Sequence, residues 1–485
     1  MATRVVCVGG SDAGIAAALR ARELDPDSEV TVVLADAYPN FSICGIPYLV
    51  SGEVGNWRDL AHRSVSELEA AGIRVRPNTH AHAVDARAHR LTVSPLGWPD
   101  EVVRYDQLIV ATGAEPVVPP IDGLWGSPGL SAADGMHLLH TMTDANLIMK
   151  TIEDRHPSTA LIVGAGYIGL EMADALTLRG IQVTIVEALP QVLPTVDAEL
   201  GVLVSAELLA HGVQVLTGTK VTGIKRDRDR LRVTGDPGLA QATDMVVLVV
   251  GVQPDGHLAE VAGAQLGARG SIVVDDHMRT GVPDVFAAGD CVHTHHRLLT
   301  EPAYLPLGTT AHKQGRVAGE NAVGGNRAFA GSVGTQVVEV FDLAIARTGL
   351  RDHEAAEAGY AALTVGSEAN DHKAYYPGAH QISFRVTGDR NTGLLLGMQL
   401  VGHRDASIAK RVDIAAAALF AGLTVDQVSD LDLAYTPPLG SPWDAVQVAT
   451  QAWSLHVDPG LRSKAGHKEA AETLPQDAAL GHQRT

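Results

Sequence analysis

The chain has 485 residues, too many for one hydrophobic core and enough for about three domains. Its composition, 46% hydrophobic with 50 glycines and 4% aromatics, fits a glycine-punctuated α/β architecture and excludes a coiled coil or a disordered chain. A formal charge of −19 without a local basic patch excludes nucleic acid as a partner. Cys7, Cys44 and Cys291, widely spaced, give neither a disulfide framework nor paired zinc ligands, and a reducing cytoplasm is the expected compartment. The opening run RVVCVGG is strand-like, unlike an export signal, and no uncharged apolar stretch of about 18 residues follows, so no membrane partner is expected.

Residues 4–36 alternate strand, glycine turn, helix and strand, a βαβ unit of the length used to bind a dinucleotide. Its turn, 9-GGSDAG-14, contains Gly9, Gly10, Ser11, Asp12, Ala13 and Gly14, with Ser11 where the fingerprint has its middle glycine. Leu34 occupies the place of the usual acidic residue, and Asp36 is the nearest substitute. Next comes 40-NFSICGIPYLV-50, an apolar segment carrying Ser42 and Cys44. His80 and His82 alternate along a strand-like run and read as edge histidines. The segment 105–123 reads as a buried strand, then a Gly turn at Ala111, Thr112 and Gly113, then a proline-rich crossing between domains.

Residues 159–187 repeat the first unit, and two such units imply two nucleotides. Here 164-GAGYIG-169 is a complete G-x-G-x-x-G comprising Gly164, Gly166, Tyr167, Ile168 and Gly169. Glu187 closes the following strand, where a carboxylate accepts hydrogen bonds from a ribose 2′-OH and repels a 2′-phosphate. With no Lys or Arg in 188-ALPQVLPTV-196, NADH is favoured over NADPH. The mixed-sign run 225-KRDRDRLR-232 reads as a solvated hairpin. Returning strands end at Gly251 and at the Gly289–Asp290 turn, and a long helix within 304–325 contains Thr310 and Ala311. The cluster 291-CVHTHH-296 lacks separated ligand pairs, so no metal is expected there. From about 330 the pattern becomes that of a separate α+β domain with a helix at 407–421, and residues 456–485 read as a flexible tail.

The series GGSDAG, ATGA, GAGYIGLE, VGVQPD and VFAAGD, in this order, resembles the FAD-dependent pyridine nucleotide-disulfide oxidoreductases. NFSICGIPY, AYYPGA (374–379) and LAYTPPLGSPWDAV (433–446) are similar to the single-cysteine branch, which contains coenzyme A-disulfide reductases, persulfide reductases, NADH oxidases and peroxidases. The resemblance implies two Rossmann-like domains and a C-terminal α+β dimerisation domain. FAD would take residues 1–115 and 252–325, NAD(P)H 116–251, and the dimer domain 326–455. It implies that Gly9, Gly10, Ser11, Asp12, Ala13, Gly14, Asp36, Ser42, Ala111, Thr112, Gly113, Gly289 and Asp290 hold FAD, with Thr310 and Ala311 near the isoalloxazine. Tyr167 would be the lid over the nicotinamide, Glu171 its polar neighbour, and Gly251 part of the same pocket. Tyr435 would reach the active site from the partner of a homodimer, with Tyr376 or Tyr375 as a second tyrosine.

Two-cysteine relatives place their thiols five positions apart, and here the fifth residue after Cys44 is Leu49. Cys44 therefore needs an external sulfur or oxygen partner. If it lies at a helix N-terminus, the dipole lowers its pKa and favours thiolate. Electrons would pass from NAD(P)H through FAD to a mixed disulfide, persulfide or sulfenic acid on Cys44. Asp12 stands where peroxidases carry a histidine, which favours a disulfide or persulfide reductase over a peroxidase. Arg20, which could meet a coenzyme A phosphate, reads as a solvated surface charge. Two alternatives remain at this level: an NADH oxidase or peroxidase cycling sulfenic acid, and a redox sensor or flavin electron donor to a protein partner.

Overall fold

The computed structural model describes residues 2–124 and 129–457; of the expected tail, all but His456 and Val457 lies outside the described residues. The chain divides into two compact units. The first takes residues up to Gly334 with Val338–Leu343, and the second takes Thr335–Val337 and Ala344 onward.

The duplication expected from the two glycine turns reaches well beyond them. One five-stranded sheet runs in the order Ile73–Arg76, Glu29–Val33, Arg4–Val8, Gln107–Val110, Val285–Ala287. The other runs Gln214–Leu216, Gln182–Val186, Thr159–Val163, Met245–Leu248, Met136–Leu138. All pairings in both are parallel. Their central strands are apolar without alternation, as Val5, Val6, Cys7 and Val8, or Ala160, Leu161, Ile162 and Val163, because helices cover both faces of a parallel sheet. Each sheet is accompanied by an antiparallel three-stranded sheet, Thr79–Asp85 with Arg90–Pro95 and Glu101–Arg104, and Lys220–Asp227 with Arg230–Asp236 and Leu239–Thr243. The KRDRDRLR run is the hairpin of the second, and His80 and His82 lie on an edge strand of the first.

The chain leaves the first parallel sheet and returns to it through two short segments, Ala114–Pro116 and Val252–Pro254, which pair antiparallel. Helix Asp12–Leu24 packs along helix Gly308–Ala322. In the second unit, strands Leu343–Gly349, Leu395–His403, Gln381–Asp389 and Ala362–Asn370 lie side by side in that order, and helices Ile408–Ala421 and Ala445–Ser454 pack on this sheet. Trp453 fills its core against Gly388 and donates its indole N–H to Leu363 O at 2.8 Å.

Candidate active site

The two glycine turns are built alike. Gly9 has φ 123° and Gly164 φ 108°, a backbone region that glycine enters without steric cost. A side chain would also strike the neighbouring strand end, since a Cβ on Gly9 would lie 2.0 Å from Ala111 O and one on Gly164 2.5 Å from Val249 O. The middle position is different: a Cβ at Gly166 would meet no protein atom within 4 Å. The glycine there leaves room instead of relieving a clash, which is why Ser11 can replace it in the first turn while helix Asp12–Leu24 still begins at the next residue.

Glu187 is buried, with Oε2 accepting from the Ala165 amide and Oε1 from the Leu189 amide, both at 2.8 Å. The carboxylate braces the second turn from the end of its strand. Tyr167 opens helix Tyr167–Leu178, followed by Ile168 and, one turn on, Glu171; the Tyr167 phenol accepts from Thr195 Oγ1 at 2.9 Å. Gly251 has φ 110° with open space where a side chain would be. In the first turn, Leu34 is buried over Gly10. Asp36 is half-buried, its Oδ1 accepting from the Ala37 amide at 2.5 Å and from Thr143 Oγ1 at 3.4 Å.

Cys44 occupies a 3₁₀ turn, Ile43–Gly45, that follows Ser42 and runs directly into helix Ile46–Ser51. It is exposed, whereas Cys7 and Cys291 are buried and burial pushes their thiols up to about 12 and about 11. The helix-dipole expectation for Cys44 is corrected: its pKa is raised. The protein closing around the thiol is the largest cause, followed by the charges of Glu171, Asp12 and Asp290, against which only a backbone hydrogen bond acts. A six-residue helix carries too small a dipole to outweigh burial together with these carboxylates. The Cys44 helix packs against helix Tyr167–Leu178, and Arg179 Nε donates to Val50 O at 2.6 Å, pinning its C-terminal end. Burial, then Asp174 and Glu339, push Glu171 up to about 8, so this carboxyl holds its proton at neutral pH.

At the opposite side of the first turn, Gly289 has φ 92° and its amide donates to Gln314 Oε1 at 2.9 Å. Asp290 follows; burial and the Asp12 charge push it to about 7, and its Oδ1 is buried without a partner among the described residues. Thr112 Oγ1 donates to Asp255 O at 2.6 Å beside Gly113, which has φ 77°. Thr310 and Ala311 are buried in the first turn of helix Gly308–Ala322, with Thr310 Oγ1 3.2 Å from Ser332 Oγ. Arg20 is not the solvated charge expected of it. It bonds Glu320 at 2.6 Å and Glu23 at 2.9 Å, tying the two long helices together and leaving its guanidinium already paired. In the CVHTHH run, Cys291 Sγ faces Val110 O and Ala288 O, and His293 Nε2 meets Val274 O at 2.9 Å, so these groups serve the backbone around them.

In the second unit the two tyrosine segments lie together, the Lys373 amide donating to Pro437 O at 3.4 Å. Tyr375, Tyr376 and Tyr435 are all exposed, as are Leu439 and Trp443. The Tyr376 ring stands edge-on to His372 at 5.8 Å, and His372 Nδ1 is 3.0 Å from Asp371 Oδ1.

Residues 3–315 match the family model for pyridine nucleotide-disulphide oxidoreductase, and residues 335–445 match that family's dimerisation domain. The chain belongs to the pyridine nucleotide-disulphide oxidoreductases. Among the relatives of this oxidoreductase, an NAD(P)H sulfur oxidoreductase (CoA-dependent) of Pyrococcus furiosus is 33% identical, covering 92% of this chain and 98% of its own. An NADH oxidase of Methanocaldococcus jannaschii is 29% identical over the same shares of the two chains. The solved structure of an NAD-dependent persulfide reductase from A. fulgidus superposes with a TM-score of 0.88 at 35% identity, covering 93% of this chain and 83% of that one. The matched dimerisation domain makes the oxidoreductase a homodimer. Among the described residues, no helix is long and apolar enough to cross a membrane.

Two residues of this oxidoreductase escaped the sequence reading. Gln314 is fully buried and holds the Gly289 amide, and His312 lies 3.2 Å from Asp12. A signal for His312 was available, because Gly308, His312, Gly315 and Gly319 share one helical face by their spacing.

Proposed function

We propose that this chain uses FAD and NAD(P)H to reduce a low-molecular-weight disulfide or persulfide through Cys44. The observation that carries the proposal is an exposed thiol without a dithiol partner: Leu49 is buried at the position a second cysteine would need, and Cys7 and Cys291 lie buried within strand and turn. The cofactors fit. Open space at Gly166 and Gly251, closely packed turns at Gly9 and Gly164, and the unpartnered Asp290 Oδ1 suit two dinucleotides and a polyol hydroxyl. Gly9 to Gly14, Asp36, Ser42, Ala111 to Gly113, Gly289, Asp290, Thr310 and Ala311 are assigned to FAD, within residues 1–115 and 252–325. Gly164, Gly166, Tyr167, Ile168, Gly169, Glu171, Glu187 and Gly251 are assigned to the nicotinamide nucleotide within 116–251, and 326–455 to dimerisation. Glu187 and the uncharged run after it favour NADH.

When bound, FAD would supply the two-electron chemistry that links NAD(P)H to the sulfur centre. Cys44, as thiolate, attacks one sulfur of the substrate; the S–S bond breaks, a mixed disulfide or persulfide forms on Cys44, and the departing thiolate takes a proton. Glu171, protonated at neutral pH and near enough to influence Cys44 once ionised, is a proton source for that departure. Tyr435 and Tyr376, exposed on the dimerisation domain, are assigned to the partner's Cys44, where a phenol donates to the leaving sulfur.

The test is NAD(P)H consumption by purified protein with coenzyme A disulfide, a persulfide, peroxide or oxygen as acceptor, each repeated with Cys44→Ser. Sulfur acceptors should turn over fastest, and the serine variant should lose on the order of a thousandfold or more, as when a nucleophile is removed. Undiminished sulfur reduction by Cys44→Ser refutes the proposal. The M. jannaschii relative makes oxygen the second candidate acceptor, and a faster oxygen rate in the wild type would move the assignment there.

A further inference from the structure

Helix Gly308–Ala322 approaches helix Asp12–Leu24 through three glycines. A Cβ on Gly315 would lie 2.2 Å from Ala13 O, one on Gly319 2.2 Å from Ala17 O, and one on Gly308 2.7 Å from Asp12 Oδ2. His312 is the fourth residue on that face by its spacing, and it is the one with a long side chain. With the backbones locked together on either side of it, the imidazole is placed against the first residue of the neighbouring helix: His312 Nε2 is 3.2 Å from Asp12 Oδ1. The two helices run parallel, so the Arg20–Glu320 pair closes the far end of the contact as Asp12–His312 closes the near end.

Asp12 is badly placed for a carboxylate on its own. It lies in the glycine turn assigned to a diphosphate, and its charge opposes ionisation of both Cys44 and Asp290. We propose that His312 is a positioning residue for Cys44: its imidazolium, held on Asp12 Oδ1, cancels the Asp12 charge and so favours the thiolate. The hydrogen bond to Asp12 raises His312 above its ordinary value of 6.5, against burial and the neighbouring Lys313. The imidazolium therefore persists to higher pH than that of a free histidine and is lost as pH rises through the shifted value. Above that pH, Asp12 acts on Cys44 without compensation, together with Asp290 and Glu171, the other charged groups that face the thiol. With its side chain 49% exposed, His312 exchanges its proton with solvent without any opening of the fold.

The consequence for turnover rests on the Cys44 chemistry proposed above, but the charge effect is read independently of turnover. The measurement is the rate of Cys44 alkylation by iodoacetamide in the holoenzyme against pH, with Cys44→Ser as the blank; Cys7 and Cys291 are buried and do not compete. Around pH 6 the wild type should react about three- to tenfold faster than His312→Gln, the size of one uncompensated charge across several ångströms of partly aqueous medium. Around pH 9, where imidazole is neutral, the two should coincide. Asp12→Asn should match or exceed the wild type at low pH and exceed it at high pH. If His312→Gln does not fold, Asp12→Asn decides alone by removing the shoulder from the wild-type profile. Parallel wild-type and His312→Gln profiles, or an Asp12→Asn protein as slow as His312→Gln, overturn the proposal. Loss of the sulfur-reductase reading would show in the NAD(P)H assays and leave these alkylation profiles unchanged.

Discussion

Glu187 has a structural role in the fold and is assigned a selective one in the proposed function. Its two oxygens each take a backbone amide, which fixes the carboxylate at the strand end where a ribose is expected, and each oxygen keeps a further lone pair for a hydroxyl. Glu187→Ala should therefore lower kcat/KM for NADH relative to NADPH by about 10- to 150-fold, the worth of about 1.5–3 kcal/mol for hydrogen bonds to a charged group. Steady-state kinetics with both nucleotides checks this, and an unchanged ratio removes Glu187 from cofactor choice. Cys44 illustrates the opposite case, in which a local rule loses to its surroundings. The turn and short helix are present as the sequence suggests, but the protein packed around the thiol, and after it the charges of Glu171, Asp12 and Asp290, raise its pKa.

At the scale of elements, the close contact of helices Asp12–Leu24 and Gly308–Ala322 depends on glycines that no single-helix preference would select, since glycine costs a helix interior about 1 kcal/mol relative to alanine. Gly315→Ala should nevertheless destabilise the protein by about 1–3 kcal/mol, because the new methyl meets the Ala13 backbone, which has no rotamer to yield. Gly55→Ala, where no atom lies within 4 Å, is the control and should stay within about 0.5 kcal/mol. Thermal unfolding of the two variants compares them; equal midpoints would mean that the helices can separate at no cost. Helix Ile46–Ser51 makes a related point. It is too short to be stable by itself, and Arg179 on Val50 O, with packing against helix Tyr167–Leu178, holds it and Cys44 in place.

For the whole molecule, the proposed tyrosine donation across the dimer makes a prediction that mixing can test. Heterodimers of a Cys44→Ser chain and a Tyr435→Phe/Tyr376→Phe chain should keep about half the wild-type activity if each site combines one chain's thiol with its partner's phenols. They should be as inactive as the parents if thiol and phenols come from the same chain. The repeated sheet order in the first unit carries a second message at this scale. Two parallel sheets that share the order of four strands and differ in where the chain supplies the fifth, each with its own antiparallel three-stranded companion, put both glycine turns at the carboxyl ends of central strands, where open α/β sheets bind ligands.

Much of this was legible in the order of residues alone. The βαβ units at 4–36 and 159–187 could be read because a buried parallel strand, a glycine turn and an amphipathic helix are local patterns, and each formed where the pattern placed it. The solitude of Cys44 was equally legible, since it needs only a count of cysteines and the identity of Leu49. The pairing of Arg20 with Glu320, the company of carboxylates around Cys44, the bracing role of Glu187 and the Asp12–His312 contact were not. Arg20 and Glu320, like Asp12 and His312, are 300 positions apart, and even the short-range bracing by Glu187 depends on which way its carboxylate turns at the strand end. Secondary structure follows short-range sterics and hydrophobic periodicity, which the sequence carries openly, whereas the charge state of a site is a sum over neighbours that only the tertiary fold selects.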